Sequence, residues 1–236
     1  MDLIGRYGQR ATFNHCLKSS ESRLVALYGR RRVGKTFLIR KHFEGKLLFE
    51  VAGLRDGAME EQLLHFSTAI AKHGLYEAAL QSATTWMEAF AQLERLIDNA
   101  KGSKKKVLFL DELPWFDTPR SKFLMALESF WNEYCMKRSD VVLVICGSAA
   151  SWMIKKILKN KGGLHNRVSE RMRLLPFDLY ETQKFLKAKG IQWSPYDIAQ
   201  LYMTTGGVPY YLDAVRKGES VYQWIDRVCF DKDGAL

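Results

Sequence analysis

The stretch that most constrains this chain is Gly29-Arg30-Arg31-Arg32-Val33-Gly34-Lys35-Thr36, which fits the pattern G-x-x-x-x-G-K-[ST]. Gly29 and Gly34 can adopt backbone conformations closed to other residues, so the loop can turn its N–H groups toward a polyphosphate. Lys35 can set a flexible cation against the β- and γ-phosphates, and the Thr36 hydroxyl can coordinate Mg²⁺. The flanks suit that use. Leu24 to Tyr28 is a short apolar segment of buried-strand type, and Lys35 to Phe43 lacks Gly and Pro, as a helix should. A helix opening at this loop adds its partial positive charge to the phosphate site.

Alternation follows. Lys46 to Ala52 reads as a second strand, ended by Gly53. Met59, Leu63, Phe66, Ile70 and His73 recur at helical spacing as one buried stripe, and Trp86, Phe90, Leu93 and Ile97 repeat it. Thr85 with Glu88 predicts a capping box for the second helix. Val107 to Glu112 is an apolar strand ending in two carboxylates. Thr118-Pro119 reads as the start of a helix burying Phe123, Leu127, Phe130 and Tyr134. Val141 to Cys146 is another strand, followed by Gly147-Ser148 and a helix from Ala149 to Lys159. Met172 to Phe177 reads as the last strand. Apolar strands alternating with helices imply a parallel sheet covered on both faces.

Beyond Asp178 the strand signal stops. Helices are predicted over Leu179 to Lys189, from Ser194-Pro195 to Gly206-Gly207, over Val208 to Lys217 and over Ser220 to Cys229. The expected fold is α/β: a three-layer core with a mainly parallel sheet over residues 1–178, then a small α-helical lid over 179–236. A chain of 236 residues, 47% hydrophobic, can bury a core of that size. No run of about 18 apolar residues offers a membrane span. Four dispersed cysteines and five histidines show neither disulfide nor zinc spacing, so a cytoplasmic setting is expected.

The carboxyl ends of parallel strands are where ligands bind. Asp111 at such an end suits anchoring Mg²⁺, and Glu112 suits orienting or deprotonating an attacking water. Ser148 ends the neighbouring strand, where its hydroxyl can meet the γ-phosphate or that water, or serve the turn alone. The net charge of +10 permits an acidic partner. Lys155, Lys156, Lys159 and Lys161 fall on the nucleotide side, as a nucleic-acid or subunit contact or a plain surface helix. Lys104-Lys105-Lys106 reads as a solvated loop at the far end. Which of Arg30, Arg31 and Arg32 touches phosphate and which a partner stays open.

In this order, the glycine loop, Leu110-Asp111-Glu112, Cys146-Gly147-Ser148, Arg167 ahead of Leu174-Leu175-Pro176-Phe177, and Gly206-Gly207-Val208-Pro209 resemble the archaeal-type ATPase family. That family lies in the STAND and AAA+ branch of P-loop NTPases and is also common in bacteria. The resemblance runs from Ile4-Gly5-Arg6 to the end of the sequence. It implies ATP and Mg²⁺ as cofactors, with the loop residues Gly29 to Phe37 on the nucleotide. Glu112 becomes the catalytic glutamate, Ser148 the sensor-1 residue and Arg167 an arginine finger, in cis or from a neighbour in a homo-oligomer. Gly206, Gly207 and Pro209 belong to a lid turn facing base or sugar. Asn166 departs from the glycine frequent in the family, and the lid shows the G-G-x-P turn in place of a sensor-2 arginine. Asp231 to Leu236 reads as the beginning of the family's C-terminal region, so an effector region is expected beyond it. The expected function is a slow Mg²⁺-dependent ATPase acting as a nucleotide-controlled switch or motor. The alternatives are a nucleotide-binding module without turnover, a nucleic-acid-associated ATPase and a small-molecule phosphotransferase.

Overall fold

In the computed structural model of the chain, the described residues are 3–74, 82–102, 105–159, 162–164, 166–232 and 234. Lys104, Lys161 and, from the tail, Asp233, Ala235 and Leu236 lie outside them. Five strands form one sheet: β1 (Arg23–Tyr28), β2 (Leu47–Ala52), β3 (Lys106–Asp111), β4 (Val141–Gly147) and β5 (Glu170–Arg173). Their order is β2-β3-β4-β1-β5, and all four pairings are parallel.

Alternation within the strands sorts the core into two faces, because successive side chains point to opposite sides. Val25, Leu27, Val107, Phe109, Val142 and Val144 pack with Phe13 of helix α1 (Tyr7–Lys18) and with Leu38 and Ile39 of α2 (Lys35–His42). Leu24, Ala26, Leu108, Leu110, Leu143 and Ile145 face α3 (Met59–Lys72), α4 (Trp86–Asn99) and α5 (Phe123–Ser129). That side is aromatic. Trp86 meets Phe123 edge-on at 4.8 Å and Phe116 at 5.5 Å, which anchors the turn following Asp111-Glu112. Buried Gln62 adds to that anchor by donating to the carbonyls of Leu54 (2.6 Å) and Trp115 (3.0 Å).

Several expected boundaries shift for identifiable reasons. Thr118-Pro119 does not start a helix: Arg120 and Lys122 take positive φ of 63° and 58°, and α5 begins only at Phe123. β5 stops at Arg173, because Pro176 has no N–H to offer and the exposed Leu175 has left the sheet. The helix after Ser148 starts as α6 (Ala150–Trp152) and widens into a π-helix over Met153–Leu158. His73 is exposed at the end of α3 rather than buried in its stripe, with its ring edge on Phe49. The Glu88 N–H donates to Thr85 Oγ1 at 3.2 Å, and the Glu88 carboxylate accepts from the N–H of Thr84 at 2.7 Å as well as from that of Thr85. Lys105 and Lys106 are no solvated loop. Lys106 opens β3 and pairs with Asp140 at 2.8 Å, while Lys105 donates to the carbonyls of Glu21 and Ser139.

The last third of the chain forms α7 (Leu179–Ala188), α8 (Pro195–Thr205), α9 (Pro209–Asp213) and α10 (Val221–Ile225), the last continuing as a π-helix to Phe230. Asp178, Ser194 and Ser220 cap three of these with capping boxes. The expected helix from Val208 to Lys217 is confined to Pro209–Asp213. These helices bury a core of their own around Phe185, Leu201, Leu212 and Trp224.

Candidate functional site

β1 delivers the chain into the glycine loop at a place where no side chain fits. A Cβ on Gly29 would stand 2.2 Å from the carbonyl oxygen of Leu174. The loop then feeds α2, whose N-cap is Gly34. Lys35, only 5% exposed, donates all three of its hydrogens at 2.9 Å, to the carbonyls of Gly29 and Arg30 and to Ser148 Oγ. Its charge is therefore held by neutral acceptors, each of which an anionic phosphate oxygen would outbid.

The ends of β3 and β4 meet the loop. Asp111, 6% exposed, accepts from Thr36 Oγ1 at 2.6 Å through Oδ2 and from the Glu112 N–H at 2.9 Å through Oδ1. Glu112 sits at φ 44°, ψ 50°, a left-handed conformation that costs a non-glycine residue about 1 kcal/mol or more. That turn sends its carboxylate across to Ser148, whose N–H and hydroxyl both donate to it, at 3.0 and 2.5 Å. Lys35, Ser148 and Glu112 thus form one hydrogen-bonded chain beside the Thr36–Asp111 pair. Below them, burial pushes the thiol of Cys146 well up, with Asp111 adding to the effect, so it stays neutral.

An open cavity of about 640 Å³ lies over this group, and its lining adds Arg31, Arg32, Phe37 and, from the lid, Phe185, Pro209, Tyr210 and Asp213. A smaller recess of about 50 Å³ continues it between Leu3, Ile4, Phe37, Phe177 and Phe185. The apolar and aromatic recess suits a flat base, and the polar floor suits phosphates. A larger hollow, about 1050 Å³, opens instead at the amino ends of the strands beside Lys105 and Asp140, away from these groups.

Three arginines tie the loop to its surroundings. The Arg31 guanidinium lies 5.7 Å from the Trp115 ring, and that of Arg32 lies 4.3 Å from Tyr210 and 5.5 Å from Tyr211. Sequence reasoning passed over the third, Arg6, except as the start of a resemblance. It is 7% exposed, donates to the carbonyls of Leu175 (2.7 Å) and Val33 (3.3 Å), and stacks on Phe177 at 4.4 Å. Its own N–H reaches Glu181 of α7 at 3.0 Å. One residue therefore joins the glycine loop, the connection to the lid and the lid's first helix. Phe185, Tyr210, Tyr211 and Asp213 were likewise unanticipated, because only tertiary packing brings them to the loop.

Not every expected residue joins the group. Arg30 is exposed and its side chain does not line the cavity, whereas Val33 lines the small recess. Pro209 reaches the cavity, but Gly206 and Gly207 stand behind it. A Cβ on Gly207 would lie 2.0 Å from the Phe177 carbonyl oxygen, so the pair lets the lid turn close on its connection. Asn166 takes φ 57°, a left-handed conformation that asparagine tolerates, which explains how it stands where glycine is frequent. Arg167 is exposed at the other end of the sheet, in a hollow with Glu21 and Arg138. The nearby Ser169 N–H bonds Leu24 O at the start of β1, about 13 Å of strand from the glycine loop.

Among the described residues, no three His, Cys, Asp or Glu side chains group as a metal site. What Thr36 and Asp111 offer is a pair of hard oxygen donors beside the cavity floor. Such a pair fits Mg²⁺, which takes one or two protein oxygens and fills its octahedron with phosphates and water.

Residues 11–215 match the family described as the ATPase domain predominantly from Archaea. A curated relative, the uncharacterized protein MJECL04 of Methanocaldococcus jannaschii, is 25% identical over 91% of this chain. The match covers 44% of that protein, so the chain spans less than half its length. Among solved structures, the Walker-type ATPase PABY2304 of Pyrococcus abyssi superposes with a TM-score of 0.68 at 16% identity, over 95% of this chain and 71% of that one. The ORC2 protein of Aeropyrum pernix, in complexes with ADPNP and ADP, gives 0.62 at 18% identity over 89% and 61%. A STAND protein with a tetratricopeptide repeat sensor from Pyrococcus horikoshii gives 0.58 at 16% over 91% and 30%. No helix among the described residues is long and apolar enough to cross a membrane. With its glycine loop at the end of β1, acidic pair at the end of β3 and parallel five-stranded sheet, the chain belongs to this predominantly archaeal family of ATPase domains.

Proposed function

We propose that the chain binds ATP with Mg²⁺ on the Gly29–Thr36 loop, hydrolyses it slowly, and uses its lid as a nucleotide-controlled switch. The observation that carries this reading is the chain Lys35–Ser148–Glu112 lying beside Thr36–Asp111 at the carboxyl ends of three strands. Lys35 exchanges its carbonyl partners for the β- and γ-phosphate oxygens. Thr36 and Asp111 would hold Mg²⁺, which when bound offsets the charge of those oxygens. Glu112 accepts a proton from the attacking water as its oxygen bonds the γ-phosphorus, and the bond to the β–γ bridging oxygen breaks with ADP as leaving group. Base and sugar take the recess beside Phe37, Phe185 and Pro209.

Slowness has its own support. Glu112 is bound through both oxygens by Ser148, so it must be released before it can serve a water. The same contact favours a second reading, an ATP- or ADP-binding module without turnover. Single-turnover phosphate release on the intact chain separates the two. Phosphate appearing with one exponential phase supports the ATPase, and nucleotide retained as ATP over hours leaves only the binding module.

A further inference from the structure

The three arginines inside the glycine loop go to different places. Arg30 faces outward, Arg31 rests on Trp115 of the core, and Arg32 alone is seated on the lid. We infer that Arg32 holds the phosphate tail of the nucleotide while seated on Tyr210 and Tyr211, so that nucleotide binding and lid docking strengthen each other. This rests on the reading of the site as an ATP site.

Arg32 lies at φ 70°, a conformation that persists in a non-glycine residue only where its surroundings hold it. The lid supplies part of what holds it, beside the turn of the glycine loop itself. The Arg32 carbonyl accepts the Tyr210 N–H at 3.4 Å, and Nη1 donates to Tyr211 Oη at 3.1 Å. The guanidinium carbon lies 4.3 Å from the Tyr210 ring centroid and 5.5 Å from that of Tyr211. Tyr211 is buried in the lid's own core beside Leu212, so displacing Arg32 shifts the lid as a body.

Among the described residues, the partners of the Arg32 side chain are these two tyrosines and no carboxylate. Of the two acids in the cavity lining, Asp213 is engaged by Lys189 at 2.8 Å and Glu112 by Ser148. Arg32 thus keeps its full charge unmatched and most of its five N–H groups uncommitted, in a cavity it shares with Lys35 and Thr36. A guanidinium pre-oriented on aromatic faces is suited to a polyphosphate, whose oxygens accept paired N–H bonds.

The test is nucleotide affinity and lid hydrogen exchange on the intact chain, with a fluorescent ATP analogue as probe. In the parent, saturating nucleotide should slow exchange in Leu179–Ala188 and Pro195–Thr205. Arg32→Ala should lose about tenfold in affinity and lose that protection at saturation. Tyr211→Phe keeps the ring and the packing and should lose several-fold, and the double variant should bind no worse than Arg32→Ala. Additive losses, or full lid protection in saturated Arg32→Ala, overturn the coupling. Lys35→Ala is the control that separates the two ideas. If it binds as the parent does, the ATP-site reading fails. If it abolishes binding while Tyr211→Phe matches the parent, only the Arg32 coupling fails.

Discussion

Ser148 donates both of its hydrogens to the carboxylate of Glu112, N–H to Oε2 at 3.0 Å and hydroxyl to Oε1 at 2.5 Å. The serine in turn accepts from Lys35 at 2.9 Å. Lys35, Ser148 and Glu112 are therefore already engaged with one another. On the proposed reading, an arriving phosphate would draw Lys35 and Ser148 away before Glu112 became free to take a proton. Proton acceptance would thereby be linked to occupancy of the loop.

Glu112→Gln is expected to bind ATP as the parent does and to lose roughly 10²–10⁴-fold in hydrolysis, because an amide keeps the shape but cannot accept the proton. Parallel titration and single-turnover measurements check this. A parent rate in the variant would place water activation on another group.

Arg6→Ala removes a nearly buried guanidinium that bonds two carbonyls and stacks on Phe177. The carbonyls of Val33 and Leu175 lose a charged donor, a loss of about 2–3 kcal/mol. Because one carbonyl belongs to the glycine loop and the other to the connection into the lid, nucleotide affinity should fall along with stability. Chemical denaturation and ATP titration of the same sample measure both. Unchanged stability would mean that the lid connection is held without this arginine.

How much of this was legible depended on sequence distance. Gly29 to Thr36 is contiguous, and Asp111-Glu112 and Gly147-Ser148 each close an apolar run, so local patterns and the parallel-sheet rule brought them together. Arg6 meets its partners Leu175 and Glu181 across 169 and 175 residues, and Arg32 meets Tyr211 across 179. No periodicity reports such pairs. The misplaced helix start at Thr118-Pro119 has a different cause. Arg120 and Lys122 take left-handed conformations that their residue types do not advertise. Lys106 was misjudged because a lysine run normally faces water, and here one member opens a buried strand opposite Asp140.

At that far end of the sheet Asp140 bonds both Arg138 and Lys106, and the bonds from Arg138 contribute most to holding its carboxyl well below the usual carboxylate range. A carboxylate whose folded pKa lies below its unfolded value adds stability above the unfolded value, near 4, and loses it as pH falls toward the folded one. Asp140→Asn should therefore destabilise the chain at pH 7 by about 1–3 kcal/mol, and the gap from the parent should narrow as pH falls below about 4. Urea denaturation from pH 7 to pH 3 reads the effect. A gap that stays constant over that range would assign the loss to packing rather than to charge.

Arg167 poses the last question, because geometry separates it from the glycine loop of its own chain. It is exposed ahead of β5, at the amino ends of the strands, whereas the glycine loop leaves β1 at the carboxyl end. The length of a strand between them, about 13 Å, is more than an arginine side chain spans. If Arg167 neutralises charge developing at a γ-phosphate, it must do so for a neighbouring subunit, and such an arginine accounts for roughly 10³–10⁵ in rate. Hydrolysis per subunit should then rise with protein concentration, and Arg167→Ala should be nearly inactive while binding ATP normally. Mixing Arg167→Ala with Lys35→Ala is the decisive measurement. The first contributes an intact glycine loop and the second an intact arginine, so hybrid interfaces should regain activity that neither variant has alone. If the mixture stays inactive although sedimentation shows that the subunits associate, Arg167 only lines its hollow beside Glu21 and Arg138.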